Sequence, residues 1–303
     1  DYSHGQAPSD SGVQKLDAIL RATLFLKGYT TYWAYGGINS TILSDAVGFI
    51  AGSVYGAGNN YLAAEVTAIA TWFNEGRKFM WIGYESDYTS LPDAGQWVND
   101  NMTMVLEAVG SHIYGEPTAI EDPVSNCASA YRAVANTTTD IEDLMVFDIG
   151  VSKVLMHGPT LIYAADGDST TNPVALETTD YDDVYPLLMY GANATITDGD
   201  IIDPIAHTIG DTGNFVAVAM ENNAGDDNSG LLVVSGASPY GGYQPMYSNT
   251  YKNVTLEGYN LVLNTIQYGI LAAVEDAGPG GKIVFDYSHG QAPSDSGVQK
   301  LDA

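Results

Sequence analysis

At 303 residues, 45% hydrophobic and 11% aromatic, the chain is long enough to bury a sizeable core, and wholesale disorder is excluded. Ten Lys and Arg against 37 Asp and Glu give a net charge of −27, which repels nucleic acid and anionic lipid and sets phosphate-backbone binding aside. No apolar run approaches the ~18 residues of a membrane-spanning helix, so no direct membrane span is expected in this segment. Residues 1–6 lack the basic start and apolar run of a signal peptide, so the chain is expected to be mature or cut from something longer.

Residues 11–27 place Val13, Leu16, Ile19, Leu20, Leu24 and Phe25 near helical spacing and end at Gly28, which predicts an amphipathic helix. Residues 29–35 are β-branched and aromatic, residues 46–54 apolar and small, and both read as strands. A helix over 62–73 closes at Asn74-Glu75-Gly76, residues 78–84 form a buried strand, and 96–109 a further helix. This alternation predicts an α/β fold, a doubly wound and mostly parallel sheet with helices on both faces. Beyond it come a helix over 128–135, strands over 155–164 and 184–190, a hairpin pair over 214–221 and 231–235, and a final helix over 259–274. No Pro- or Ser-rich linker interrupts the chain. Residues 1–281 are therefore expected to be a single α/β domain with β-rich loop insertions, and 282–303 a linking strand and the start of a next repeat.

The segment DYSHGQAPSDSGVQKLDA at residues 1–18 recurs unchanged at 286–303. Its second copy follows Lys282-Ile283-Val284-Phe285, a short apolar run behind Gly280-Gly281 that reads as a buried strand, whereas no such run precedes the first copy. A tandem array of near-identical domains, a subunit whose end strand completes a neighbour, and an artificial duplication all account for it. So does a strand that folds back onto its own domain.

The stretch KIVFDYSHGQ, a strand running into Asp-x-x-His-Gly and a helix, resembles the opening of the glutamine-amidotransferase-like α/β domains of archaeal and bacterial surface proteins. Residues 77–84 (RKFMWIGY) and 231–238 (LLVVSGAS) resemble later strands of that family. The resemblance implies a flavodoxin-like sheet with a ligand crevice at the carboxyl ends of the strands, near His4, Tyr84, Glu85 and Ser86. The sequence departs from the family's enzymes at the nucleophile. Its one cysteine, Cys127, lies in Ser125-Asn126-Cys127-Ala128 without a glycine elbow, and Gly83-Tyr84-Glu85-Ser86 carries no thiol. A non-catalytic relative, not an enzyme, is expected.

His4 and His289 in Ser-His-Gly suit either a base beside Asp1 or Asp286, or a structural pin for the turn. His112, His157 and His207 are isolated and show no zinc spacing. Three acidic loops bring Asp oxygens together around turn glycines as calcium requires: Asp166 with Asp168, Asp198 with Asp200 and Asp203, and Asp226 with Asp227. Sequons at Asn39, Asn101, Asn136, Asn193 and Asn253 predict N-linked glycans. Tyrosine clusters at 29–35 and 240–251 suit protein contacts or sugar stacking.

Together these features lead to the expectation of a structural, self-assembling extracellular glycoprotein in a cell-surface filament, sheath or surface layer, with copies of itself as partners. Its assembly residues would be Lys282, Ile283, Val284, Phe285, Asp286, Tyr287 and His289. The alternative expectation is an extracellular solute- or glycan-binding module using the strand-end crevice.

Overall fold

The computed structural model describes residues 1, 4, 11–54, 59–87, 94–138, 153–197, 202–242 and 244–275. In chain order the elements are α1 (Ser11–Leu26), α2 (Ser40–Leu43), β1 (Gly48–Ala51), α3 (Ala63–Phe73), β2 (Phe79–Gly83) and α4 (Ala94–Val109). Next come β3 (Ile113–Gly115), β4 (Ala119–Glu121), β5 (Arg132–Thr137), β6 (Val154–His157), β7 (Ile162–Ala164), β8 (Val174–Ala175), β9 (Val184–Met189) and β10 (Thr195–Thr197). The chain closes with β11 (Val216–Ala224), β12 (Gly230–Ser235), β13 (Thr250–Tyr251), β14 (Val254–Thr255) and α5 (Gly258–Glu275).

Every residue of β2 is buried, and a strand of that kind needs cover on both faces. Phe79 and Trp81 meet Leu20 and Leu24 of α1 and Leu261, Val262 and Ile266 of α5. Met80 and Ile82 turn the other way, onto Val66, Ile69 and Phe73 of α3 and Val105 and Leu106 of α4. The period of two in the strand thus divides the core into two layers.

The main sheet has seven strands in the order β1-β2-β12-β11-β9-β5-β6. Only β1, β2 and β12 run parallel to one another. The joins β12 to β11, β11 to β9, β9 to β5 and β5 to β6 are all antiparallel. This corrects the expected doubly wound parallel sheet: the protein is mostly β, with a mixed sheet. Parallel neighbours need a crossover, usually a helix, and among the described residues no helix lies between α4 and α5. The second half of the chain therefore returns through turns and pairs antiparallel.

Several elements lie close to the spans read from the sequence, among them α1, α3, β2, the β11/β12 hairpin and α5. Three do not. Residues 29–35 form no strand, and 128–135 runs into β5 instead of a helix. The expected strand 155–164 divides into β6 and β7 at Gly158-Pro159, where Gly158 has φ +58. The boundary at 281, the linking residues Lys282, Ile283, Val284 and Phe285, and Asp286, Tyr287 and His289 lie outside the described residues. Among the described residues no helix is long and apolar enough to cross a membrane.

Gly236, just past β12, is a tight joint of this frame. Thr160 N donates to its carbonyl at 2.9 Å, and a methyl at its Cα would run into the Thr160 carbonyl and approach the Tyr190 hydroxyl. Gly236→Ala is expected to cost about 2–4 kcal/mol by backbone displacement, read as a lower urea midpoint at unchanged slope.

Candidate functional site

The carboxyl ends of β1, β2 and β12 lie at one level, and the segments leaving them, 52–54, 84–87 and 236–240, meet there. Ser53 Oγ donates to the Tyr84 carbonyl at 2.7 Å and reaches Glu85 Oε2 at 3.5 Å, while Ser53 N donates to Ser238 Oγ at 3.2 Å. The Tyr240 hydroxyl meets the carbonyls of Ile50 and Asp1 at 2.8 and 2.6 Å. Ser86 is buried and donates its amide to the Gly158 carbonyl at 2.8 Å. The level where a ligand crevice was expected is occupied by the protein's own hydrogen bonds.

His4 is buried at this level, stacked on the Tyr61 ring at 3.9 Å. Its Nδ1 lies 2.7 Å from Asp1 Oδ2, which also accepts from the Tyr61 hydroxyl at 2.6 Å. Its Nε2 lies 3.3 Å from Glu65 Oε2. Glu65 is committed elsewhere too, accepting from Leu62 N at the start of α3 and from Ile38 N, both at 2.8 Å. Burial lowers the His4 pKa below its ordinary value against the pull of Glu65. The shorter contact then assigns the proton of a neutral imidazole to Nδ1. Tyr84 points away from this group, its hydroxyl 2.9 Å from Thr103 on α4 and its ring against Gly115. Of the four expected crevice residues, His4 binds toward α3, Tyr84 toward α4, Glu85 faces Ser53 just past β1, and Ser86 is tied to Gly158.

A second buried group escaped the sequence reading. His207 lies between Glu116 and Glu177, with Nδ1 3.1 Å from Glu116 Oε2 and Nε2 3.0 Å from Glu177 Oε1. Glu116 is fully buried and also accepts from the main-chain nitrogens of Ile205 and Ala206. Burial alone would lower the His207 pKa, but hydrogen bonds and charge from the two glutamates outweigh it and hold it at about 9. His207 is therefore a buried cation that ties its loop to the end of β3. The remaining histidines differ again. A hydrogen bond to Glu221 at 2.7 Å raises the pKa of His112, and burial with the nearby Arg132 charge takes His157 down to about 4.

The acidic loops are built as turns. Asp168 accepts from Thr170 N and the hydroxyls of Thr170 and Thr171, and Asp166 accepts from Tyr181 and Asn172. Asp226 and Asp227 bind Asn74 and Ser229, docking the β11/β12 hairpin loop on the end of α3. Asp203 is exposed, and Asp198 and Asp200 lie outside the described residues. Among the described residues no three His, Cys, Asp or Glu side chains are grouped to hold a metal ion. Of the sequons, Asn39, Asn136, Asn193 and Asn253 are exposed. Asn101 is buried, accepting from Tyr61 N at 2.8 Å and donating to Asn60, so a glycan there has no room in the folded state. Cys127 is buried in a small apolar cluster with Val134, Leu155 and Leu256, and burial raises its thiol pKa, the reverse of an activated nucleophile.

No family model matches the chain. No curated protein matches it. Among solved structures, one titled "mmIFT52 N-terminal domain" matches with a TM-score of 0.55 and 12% identity, covering 85% of this chain and 90% of that one. At that identity the likeness is one of fold. It corrects the resemblance drawn above, because the solved structure it matches is an IFT52 domain and not a glutamine-amidotransferase-like surface protein. The expected archaeal cell-surface filament, sheath or surface layer, its extracellular placement and its glycan-binding alternative are overturned by the same match.

Two buried groups contribute to the response to pH in separate windows. Burial raises the Asp17 pKa to about 7, against the hydrogen bond from Gly241 N. Because the folded state holds this proton more tightly than the unfolded one, the contribution of Asp17 to stability falls as pH rises from about 4 to 7. His207 contributes stability that is complete below its unfolded value near 6.5 and is lost as pH rises through about 9. Relative to the parent protein, Asp17→Asn is expected to remove the first contribution from the melting-temperature profile and His207→Gln the second, as read by calorimetry between pH 4 and 10.

Proposed function

We propose that the chain is a non-catalytic protein-interaction domain, one component of a larger assembly. The observation that carries this reading is the self-closure of the strand ends: both ring nitrogens of His4 face carboxylates of the wall, and Ser53, Ser238 and Tyr240 bind loop backbone. A histidine held in this way is a pin and not a general base. The neighbouring fold supports the reading, since its title names one domain of a longer protein, and that protein is one of intraflagellar transport.

Large apolar side chains lie outside instead. Phe25 and Leu26, at the end of α1, are 75% and 84% exposed, and Tyr32 and Tyr35 shortly after are 71% and 66% exposed. Their neighbours Leu24 and Ala34 are buried, so the stretch is anchored while these four side chains face water. Exposed aromatic and apolar residues close together in sequence suit a protein contact, and the net charge of −27 favours a partner surface rich in Lys and Arg. The reading requires neither a calcium ion nor a glycan.

The test is recovery of the native protein with its stoichiometric partner, followed by the double substitution Phe25→Asp and Leu26→Asp. Affinity should fall tenfold or more, about 1.4 kcal/mol, with the melting temperature unchanged. A native protein that sediments alone as a monomer and binds one small solute per chain would falsify the reading.

A further inference from the structure

A cavity of about 230 Å³ lies between β9 and the segment 176–181 that leads into it. Leu176, Val184, Pro186 and Met189 give it apolar walls. Leu176 and Val184 belong to the core layer under α3 and α4, and Met189 and Tyr181 pack against the same layer. Tyr181, which also borders the cavity, is held at both ends: its hydroxyl donates to Asp166 at 2.5 Å, and its carbonyl accepts from Val184 N at 3.1 Å. The walls are therefore set by the fold itself.

Two acids, Glu177 and Asp180, line the same space, and no Lys or Arg does. Glu177 gives Oε1 to His207 Nε2 at 3.0 Å, while its Oε2 is buried and receives no hydrogen bond. A buried carboxylate oxygen is costly to leave without a donor, so this one calls for a partner. Asp180 is exposed and, among the described residues, forms no ion pair.

We propose that this cavity receives a lysine side chain of the protein partner, an assignment that rests on the chain's being an interaction domain. A lysine joins a four-carbon apolar stem to an ammonium with three donors, and the cavity joins apolar walls to carboxylates. Size agrees, since small-molecule sites run to ~300–1,000 Å³ and this one is on the scale of a single long side chain. At the buried carboxylate arginine fits less well. Its planar fork is matched by both oxygens of one carboxylate, and Glu177 has one already committed to His207. A lysine ammonium is a compact charge that the remaining oxygen can take, and the exposed Asp180 adds attraction.

The test uses the full chain with methyl-labelled methionines, in which Met189 is identified by the NMR signal lost in Met189→Leu. n-Butylammonium should move this signal saturably, and 1-butanol, of equal length and uncharged, should bind at least tenfold more weakly. Asp180→Asn, at an exposed position, should weaken ammonium binding at least threefold with the melting temperature unchanged. Equal response to the two probes, or none to either, overturns the proposal. So does a partner that docks through Phe25 and Leu26 and leaves the Met189 signal unmoved, a result under which the interaction reading itself stands. Ammonium binding by a chain that recovers no partner sinks that reading, and overturns the lysine by giving the cavity to a free amine.

Discussion

Main-chain groups at the carboxyl ends of three parallel strands must find partners out of water, and the rest of the structure is arranged around that requirement. Hydroxyls from distant parts of the chain meet it. Tyr240 reaches the Ile50 carbonyl, Ser53 the Tyr84 carbonyl, and Tyr190 the Thr160 carbonyl at 2.5 Å. Because Thr160 in turn donates to Gly236, the β12 exit is held to the β6/β7 turn by backbone, and no side chain fits between them. In other sheets of this kind the strand-end level is left open for a ligand. Here the same level holds the two cores, the small sheets and α5 in one frame.

The two buried histidines show how alike pairs of acids produce opposite charge states. His207 has glutamates at 3.1 and 3.0 Å, so two good charge-assisted bonds offset its burial and keep it protonated. His4 has one close carboxylate and a second, Glu65, only at 3.3 Å, and the charge of the nearby amino terminus adds to the effect of burial. Its burial is not matched, and its pKa falls. In a chain so rich in acids, a carboxylate near a histidine decides little by itself. What decides is whether hydrogen bonds and charge together outweigh the cost of burial.

Local patterns were legible in the sequence and long-range ones were not. The apolar spacing of α1, α3 and α5 and the continuous apolar run of β2 carry their own structure, because burial on one face or two follows from the residues themselves. The alanines before β5 suggested a helix, but Arg132–Thr137 is fixed by pairing with β6 and β9, residues far away in sequence. The same holds for sheet direction, since strand and helix alternate only as far as α4. His4 with Glu65 and His207 with Glu116 and Glu177 join residues 30 to 91 positions apart, which no spacing motif records. The Asp-rich loops read alike for two chemistries, for Asp caps a turn with the same oxygens it would give to a cation.

On the proposed reading, a fold that fills its strand-end level with its own side chains acts through its outer surface. The strand-end groups that could have polarised or oriented a substrate are bound to backbone, and exposing them would cost the frame that holds α5 and β12 in place. Among the large apolar side chains that reach water are those beyond Leu24 and around Ala34, close to buried neighbours. Anchoring limits the conformational entropy lost when a partner covers them, so their contact area converts to affinity with less waste than a loose loop would give. The surplus of acid on the remaining surface then orients the approach, favouring basic partners at a distance where packing has no reach.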